Sequence, residues 1–342
     1  MRVFLAGATG VIGTPLVPQL LKAGYEVTAM TRSVLRAAQL EAVGADPVVC
    51  DVFDADGVRA AMADASPEAV IHQVTALPTR LDWGNPHLFD EHNRVRTEGA
   101  RILVDAALTT GATRVVAQSI AFAYAPTGDR VKEEDAPLFT DAPPPLGGVM
   151  AAVVELEQRV TRTAAIEGLV LRYGMLYGPG TYHDRRGSTA ADIIAARVPL
   201  VEGATGMYSW LHVEDAASAA VAALERGAPG IYNVVDDEPA PQPEWLPVLA
   251  KALGVPPPPA AQMLPDHTRR RCHCAAPPTR RPSASSHGGR GTRAGAKALP
   301  QASVSAHAST EPRPASCWPT ELSRAIMPRQ HGGAPPAIVG LA

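Results

Sequence analysis

The sequence predicts an α/β fold, a parallel sheet wound on both sides by helices, and three observations predict it. The chain opens on a short apolar run, Arg2-Val3-Phe4-Leu5-Ala6, which suits a fully buried strand. A glycine-rich turn, Gly7-Ala8-Thr9-Gly10-Val11-Ile12-Gly13, follows at once and leads into a stretch of helical apolar spacing that closes on Gly24. Short apolar runs then alternate with helical patterns to about residue 253, which is the rhythm of βα units.

The three glycines have separate duties. Gly7 allows the tight turn, Gly10 lets backbone approach a pyrophosphate, and Gly13 lets helix and strand pack closely. Phosphates would rest on unpaired N–H groups at the positive end of the first helix. This is a Rossmann-like beginning. The spacing G-x-x-G-x-x-G, with Thr9 before the second glycine, resembles the short-chain dehydrogenase/reductase superfamily in its extended, NAD(P)-dependent epimerase/dehydratase branch.

Strand two is read at Tyr25-Glu26-Val27-Thr28-Ala29-Met30-Thr31-Arg32. In this fold an acid at its end binds the ribose 2′-OH, whereas an Arg accommodates a 2′-phosphate. Thr31-Arg32-Ser33 holds no acid, so Arg32 favours NADP over NAD. A helix over 33–43 and a strand at Ala45-Asp46-Pro47-Val48-Val49-Cys50 follow. Cys50-Asp51-Val52 resembles the family step whose Asp contacts adenine, although a turn-forming Asp51 reads equally well. Asp54 is placed to cap a helix running to Ala65. Strand four, Ala69 to Gln73, leads into Val74-Thr75-Ala76, which in the resemblance lies against the cofactor; His72 is read as a scaffold group.

A polar loop from Leu77 to Pro86 precedes a long helix over 93–107, where Asn93 resembles the family's buried bracing amide. The next strand, Thr113 to Ser119, ends in the segment where the family's Ser orients the reacting oxygen, and Ser119 matches it, with Gln118 replacing the preceding Ser. The family's general acid is a Tyr in Tyr-x-x-x-Lys on the following helix, where the Lys lowers the phenol pKa. Aligning the helix on Glu155 puts Gly147 at the Tyr position and Ala151 at the Lys position, and no Tyr or Lys lies between 133 and 172. Tyr124 and Tyr177 are the remaining phenols near the expected centre.

Strand six is read over 168–174, followed by a Tyr177-Gly178-Pro179-Gly180 turn and the loop His183-Asp184-Arg185-Arg186. Asp215 is read as the N-cap or first-turn acid of a helix over 216–226, and a last helix covers about 243–253. The resemblance stops at Gly254. From Pro256 the chain carries eleven Lys/Arg against three Asp/Glu and fifteen of the 33 prolines, a charge of +8 against −11 for the remainder. Such a stretch lacks the apolar surface to offset its ordering entropy. Cys272-His273-Cys274 fits no zinc spacing.

The predicted organisation is therefore an NAD(P)-binding domain over 1–174, a small substrate lobe over 175–254 whose strands return to the sheet, and a tail over 255–342 read as disordered or frame-shifted. The implied cofactor site is Gly7, Thr9, Gly10, Val11, Ile12, Gly13, Arg32, Asp51, Val52, Val74, Thr75, Ala76 and Asn93, and the implied catalytic set is Ser119, Tyr124 and Tyr177. The net charge of −3, four scattered cysteines and no apolar stretch of membrane-spanning length favour a small-molecule substrate over nucleic acid or membrane, in the cytoplasm. Metal has no place in this reading, and a homodimer is left open. Two functions compete: hydride transfer at a carbonyl or sugar-type carbon, or a dinucleotide-binding sensor that has lost its chemistry.

Overall fold

A computed structural model describes residues 1–83, 85–130, 132–201 and 204–261. The Cys272-His273-Cys274 stretch and most of the basic tail lie outside the described residues. Strand β1 (Arg2–Ala6) enters the glycine turn and α1 (Gly13–Lys22). There follow β2 (Glu26–Thr31), α2 (Val34–Ala42), β3 (Asp46–Val49), α3 (Ala55–Ala65) and β4 (Ala69–His72). The predicted long helix begins earlier than its apolar pattern does. It runs as α4 (Asp90–Arg94), a π-helical turn (Val95–Gly99) and α5 (Ala100–Thr110). Strand β5 (Arg114–Ile120), α6 (Leu146–Arg162) and β6 (Glu167–Tyr173) complete the first large unit.

The second unit contributes β7 (Met175–Tyr177), α7 (Ser188–Ile194), β8 (Leu200–Val201), β9 (Met207–Tyr208), β10 (Trp210–His212) and α8 (Val213–Glu225). It continues through β11 (Gly230–Val234), β12 (Ala240–Pro241), α9 (Gln242–Leu253) and β13 (Ala260–Ala261). The main sheet has seven parallel strands in the order β11-β6-β5-β4-β1-β2-β3, with β11 returning from the second unit to pair with β6.

Alternation along the strands explains why the central runs are apolar throughout. Val3, Leu5 and Ile71 pack with residues of α1 and α8, whereas Phe4, Val70 and Val170 pack with residues of α3, α5 and α6. Both faces are covered, so β1 and β4 leave no position for a solvated residue beyond Arg2 at the entry. A third cluster, built on Trp210, Trp245, Leu246 and Leu249, is the core of the small lobe.

Of the two roles read for Asp215, N-cap or first-turn acid, the structure has the second: α8 begins at Val213, the His212 side chain accepts from the Glu214 amide, and Asp215 lies in the first turn. The chain also stays packed past Gly254. Val255 joins the lobe core, the Leu200 amide donates to the Pro259 carbonyl, and β13 pairs with β8. Proline does not bar this, because edge pairing at Pro259 uses its carbonyl and not its missing N–H.

Candidate active site

The carboxyl ends of the strands carry the turns that the sequence singled out. At Gly7, φ is +91° and an added Cβ would stand 2.5 Å from the Gln73 backbone. At Gly13 it would stand 2.2 Å from the Gly7 carbonyl, but at Gly10 nothing lies nearer than that carbonyl at 3.4 Å. Two glycines are thus required by packing, and the middle one leaves an open cradle beside a helix that starts with no side-chain cap. That is the form a dinucleotide's phosphates need. Thr9 Oγ1 lies 3.5 Å from Thr31 Oγ1, and Val11 lies 3.8 Å from where a Gly180 side chain would begin, so the loop after β7 comes over the turn.

At the end of β2 the exposed Arg32 stands 3.8 Å from Asp51 in a loose surface pair. Arg36, which the sequence reading passed over, donates to the Thr9 carbonyl at 3.3 Å. Asp51 also accepts from the Phe53 amide at 2.9 Å, which is the turn-forming role left open above. Val52 is buried and would touch a side chain at Gly99.

Behind the cleft lies a buried polar layer between β4–β6 and the helices α4–α6. Arg172 on β6 holds Glu157 on α6 through two bonds, Nε to Oε1 at 2.8 Å and Nη2 to Oε2 at 2.6 Å. Both side chains are nearly inaccessible, at 3 % and 5 % exposure. Ser119 donates its hydroxyl hydrogen to Glu157 Oε1 at 2.8 Å. Tyr124 donates to Asn233 Oδ1 at 2.6 Å and accepts from Arg172 Nη1 at 2.8 Å. Ser119 and Tyr124 are thus brought together, through Arg172, but both are buried and both are engaged inside the protein. Tyr177 sits elsewhere, edge-on to His212 at 5.1 Å and to Trp210 at 6.4 Å in the small lobe. Asn93 lies on α4, where its amide nitrogen would be 3.3 Å from a side chain at Gly148.

The residues match the model of the NAD dependent epimerase/dehydratase family over 3–234. The chain belongs to that family. It is 51 % identical over 259 residues to a Streptomyces protein named 3-diazoavenalumate denitrifying reductase, covering 75 % of this chain and 83 % of that protein. The UDP-glucose 4-epimerase of Thermus thermophilus, solved with NAD, is 25 % identical with a TM-score of 0.60, over 78 % of this chain and 88 % of the epimerase. The Thermotoga maritima UDP-glucose 4-epimerase, solved with UDP-glucose, shares the fold at a TM-score of 0.66 and 18 % identity, over 82 % and 90 % of the two chains. No helix among the described residues is long and apolar enough to cross a membrane, and no cluster of metal-ligating side chains occurs among them.

The first two turns of α6 hold Gly147 and Ala151, the positions that the sequence resemblance assigns to the Tyr and the Lys. Gly147 has no room for a side chain: an added Cβ would meet the Ala142 carbonyl at 2.5 Å. The loop before α6 fills the space that a side chain at 147 would need, the position where the resemblance puts the family Tyr. Ala151 is exposed and carries no charge to lower a phenol pKa.

Burial also shifts several phenols and imidazoles of the fold. Burial pushes the Tyr124 phenol up, and pushes Tyr182 up to about 12. Burial pulls His72 down to about 4, helped by the Arg96 charge, and pulls His183 down to about 4. These histidines are neutral in the fold at pH 6.5, where the unfolded chain begins to take up protons. Their contribution to stability is therefore complete above pH 6.5 and is lost as pH falls toward about 4. Thermal melts across that interval are expected to show a falling Tm, and a flat Tm down to pH 4 would contradict the burial of these rings.

Proposed function

We propose that the chain is an NADP-preferring reductase whose substrate accepts a hydride without taking a proton from the protein, and that its reacting group is a diazonium group. What supports the proposal is a site poor in proton donors: Gly147 and Ala151 where the resemblance places the acid and its Lys, Tyr124 and Tyr182 phenols raised by burial, and a His72 imidazole held neutral. The 51 %-identical relative, named for a diazo compound and a denitrifying reduction, supports it from another direction.

The turn Gly7, Thr9, Gly10, Val11, Ile12 and Gly13 would hold the pyrophosphate. Asp51 and Val52 would border the adenine, Val74, Thr75 and Ala76 the far wall, with Asn93 behind. A reduced nicotinamide bound in this cleft supplies the hydride. A diazonium carbon compound that gains hydride loses N2 and keeps the hydrogen on carbon, so charge and atoms balance without an acid. Ser119 and Tyr124 would then serve by fixing the Glu157–Arg172 pair, and Tyr177 by shaping the lobe. Ser119→Ala would accordingly lower thermal stability more than cofactor affinity.

The test is a gas-phase N2 measurement alongside NADPH oxidation, with an aryl diazonium carboxylate as substrate. One N2 per NADPH is expected. Tight NADPH binding without turnover of any electrophile would instead move the chain to the sensor class.

The cofactor preference rests on Arg32 and Arg36 flanking a β2 end that carries Thr31 and no acid. Arg32→Ala is expected to weaken NADPH by on the order of 1.5–3 kcal/mol, nearer the lower figure because Arg32 is exposed, and to leave NADH almost unchanged. Titration of both cofactors checks this, and equal wild-type affinity for the two would overturn it.

A further inference from the structure

Three side chains from three different elements grip one short stretch of backbone. The Val74 amide donates to His72 Nδ1 at 3.3 Å, and the Val74 carbonyl accepts from Gln118 Nε2 at 3.2 Å. The Ala76 amide donates to His92 Nδ1 at 3.2 Å. His72 lies at the end of β4, Gln118 on β5 and His92 on α4, and both histidines are buried. One turn beyond His92, in the π-helical turn, is Arg96, a buried guanidinium that makes no ion pair within 4.0 Å among the described residues and whose Nη1 has no hydrogen-bond partner. A charge buried without a salt-bridge partner is costly, and this one sits beside the segment between β4 and α4 that the cleft needs rigid.

We infer that His72, His92 and Gln118 are positioning residues that hold Val74–Ala76 as a fixed wall of the cofactor cleft, and that Arg96 guards the two imidazoles in that role. This rests on the reading that residues 74–76 border the cofactor.

The chemistry of the rings makes the arrangement conditional. An imidazole can accept a hydrogen bond at Nδ1 only while that nitrogen carries no proton, so both rings must be the neutral tautomer with hydrogen on Nε2. His72 Nε2 is buried without a well-formed bond, although the Val95 carbonyl lies close enough to favour its proton. A protonated ring would turn an acceptor into a second donor facing the Val74 or Ala76 amide, and the wall would be released.

Burial opposes that proton first, and the Arg96 charge opposes it next, holding His72 near 4 and His92 near 2. The groups that act on the two rings are Arg96 from the π-helical turn, the Val95 carbonyl on His72, and His72 on His92. Glu157 from α6 acts on Arg96 and favours its charge, but its own carboxylate is held bidentately by Arg172. Arg96 thus takes over a task unrelated to substrate: it supplies the repulsion that keeps both acceptors available.

The experiment combines cofactor titration with amide exchange on the full chain. Arg96→Met should bind NADPH as the wild type does at pH 7.5, and its affinity should begin to fall at a higher pH than the wild type's as the pH is lowered toward 5, the shift staying partial because burial still opposes the proton. His92→Leu should lose about tenfold at every pH, and His92→Asn, whose side-chain oxygen can accept the Ala76 amide, should recover most of it. Hydrogen exchange at the Val74 and Ala76 amides should be slow in the wild type and fast in His92→Leu and in acidified Arg96→Met.

If Arg96→Met does not fold, nitrogen NMR spectra of the wild-type histidine rings decide the matter: two rings in the Nε2–H tautomer that do not titrate above about pH 5 support the inference. Rings titrating near their ordinary value of about 6.5, an Arg96→Met profile parallel to wild type, or unchanged amide exchange in His92→Leu would overturn it. Failure of the wild type to bind either dinucleotide, with exchange still governed by His92, would sink the cofactor reading and leave the positioning role standing.

Discussion

Glu157→Ala is expected to lower Tm by roughly 10 °C, the largest stability effect of any single substitution in the cleft. The substitution strips Arg172 of a bidentate partner at a site where both side chains are almost fully enclosed. Breaking a buried pair by removing one member typically costs about 3–5 kcal/mol, because the remaining charge keeps its desolvation penalty. Here the damage spreads further. Ser119 loses the oxygen it donates to, and the buried Arg96 loses a carboxylate that favours its charge. Tyr124 and the Glu134 carbonyl would still bond Arg172, but neither carries a negative charge. The control is Glu157→Leu combined with Arg172→Met, which removes both charges and should be milder than Glu157→Ala alone. Calorimetry of the three variants checks this, and a double variant less stable than the single would show that the pair contributes through packing instead.

Most of the fold could be read from the chain because buried parallel strands and amphipathic helices leave a local periodicity. The first βα unit was legible in outline: β1 falls at Arg2–Ala6, and contacts of 2.5 and 2.2 Å leave no room for side chains at Gly7 and Gly13. The polar layer was not legible, because it is assembled from residues far apart in the chain. A signal for it did exist. Arg172 interrupts an otherwise apolar strand, and Glu157 falls on the same stripe of α6 as Val149, Val153, Leu156 and Val160. A charge on a buried stripe calls for a partner, and two such charges call for each other. His92, Arg96 and Gln118 had no comparable signal, since the histidine and the glutamine hold backbone and Arg96 acts through the rings. The π-helical turn that places Arg96 is a local widening of the helix, which the apolar spacing of α4–α5 does not encode. The small lobe's continuation to Ala261 was hidden by proline, which hinders helices but not a two-residue edge pair.

Turnover of a diazonium substrate is expected to exceed that of an ordinary ketone of the same size by about 10²–10⁴-fold. That is the range which general acid catalysis commonly contributes and which, on the proposed reading, this cleft forgoes. A ketone that accepts hydride becomes an alkoxide and needs a proton at once, whereas burial raises the Tyr124 and Tyr182 phenols and keeps His72 and His183 neutral. A diazonium ion that accepts hydride at carbon becomes neutral as N2 leaves and a C–H bond forms, so the missing acid costs nothing. Two signatures follow. The diazonium rate should be flat from about pH 6.5 to 8.5 at saturating NADPH, with no solvent isotope effect, whereas residual ketone reduction should rise as pH falls. Gly147→Tyr with Ala151→Lys should not restore ketone reduction by itself, because a side chain at 147 meets the Ala142 carbonyl at 2.5 Å. Brisk reduction of unactivated ketones by the wild type, with a bell-shaped pH profile, would mean that a proton donor has been recruited from outside the groups named here. In that case the diazo assignment falls, because the chemistry would no longer be limited to electrophiles that need no acid.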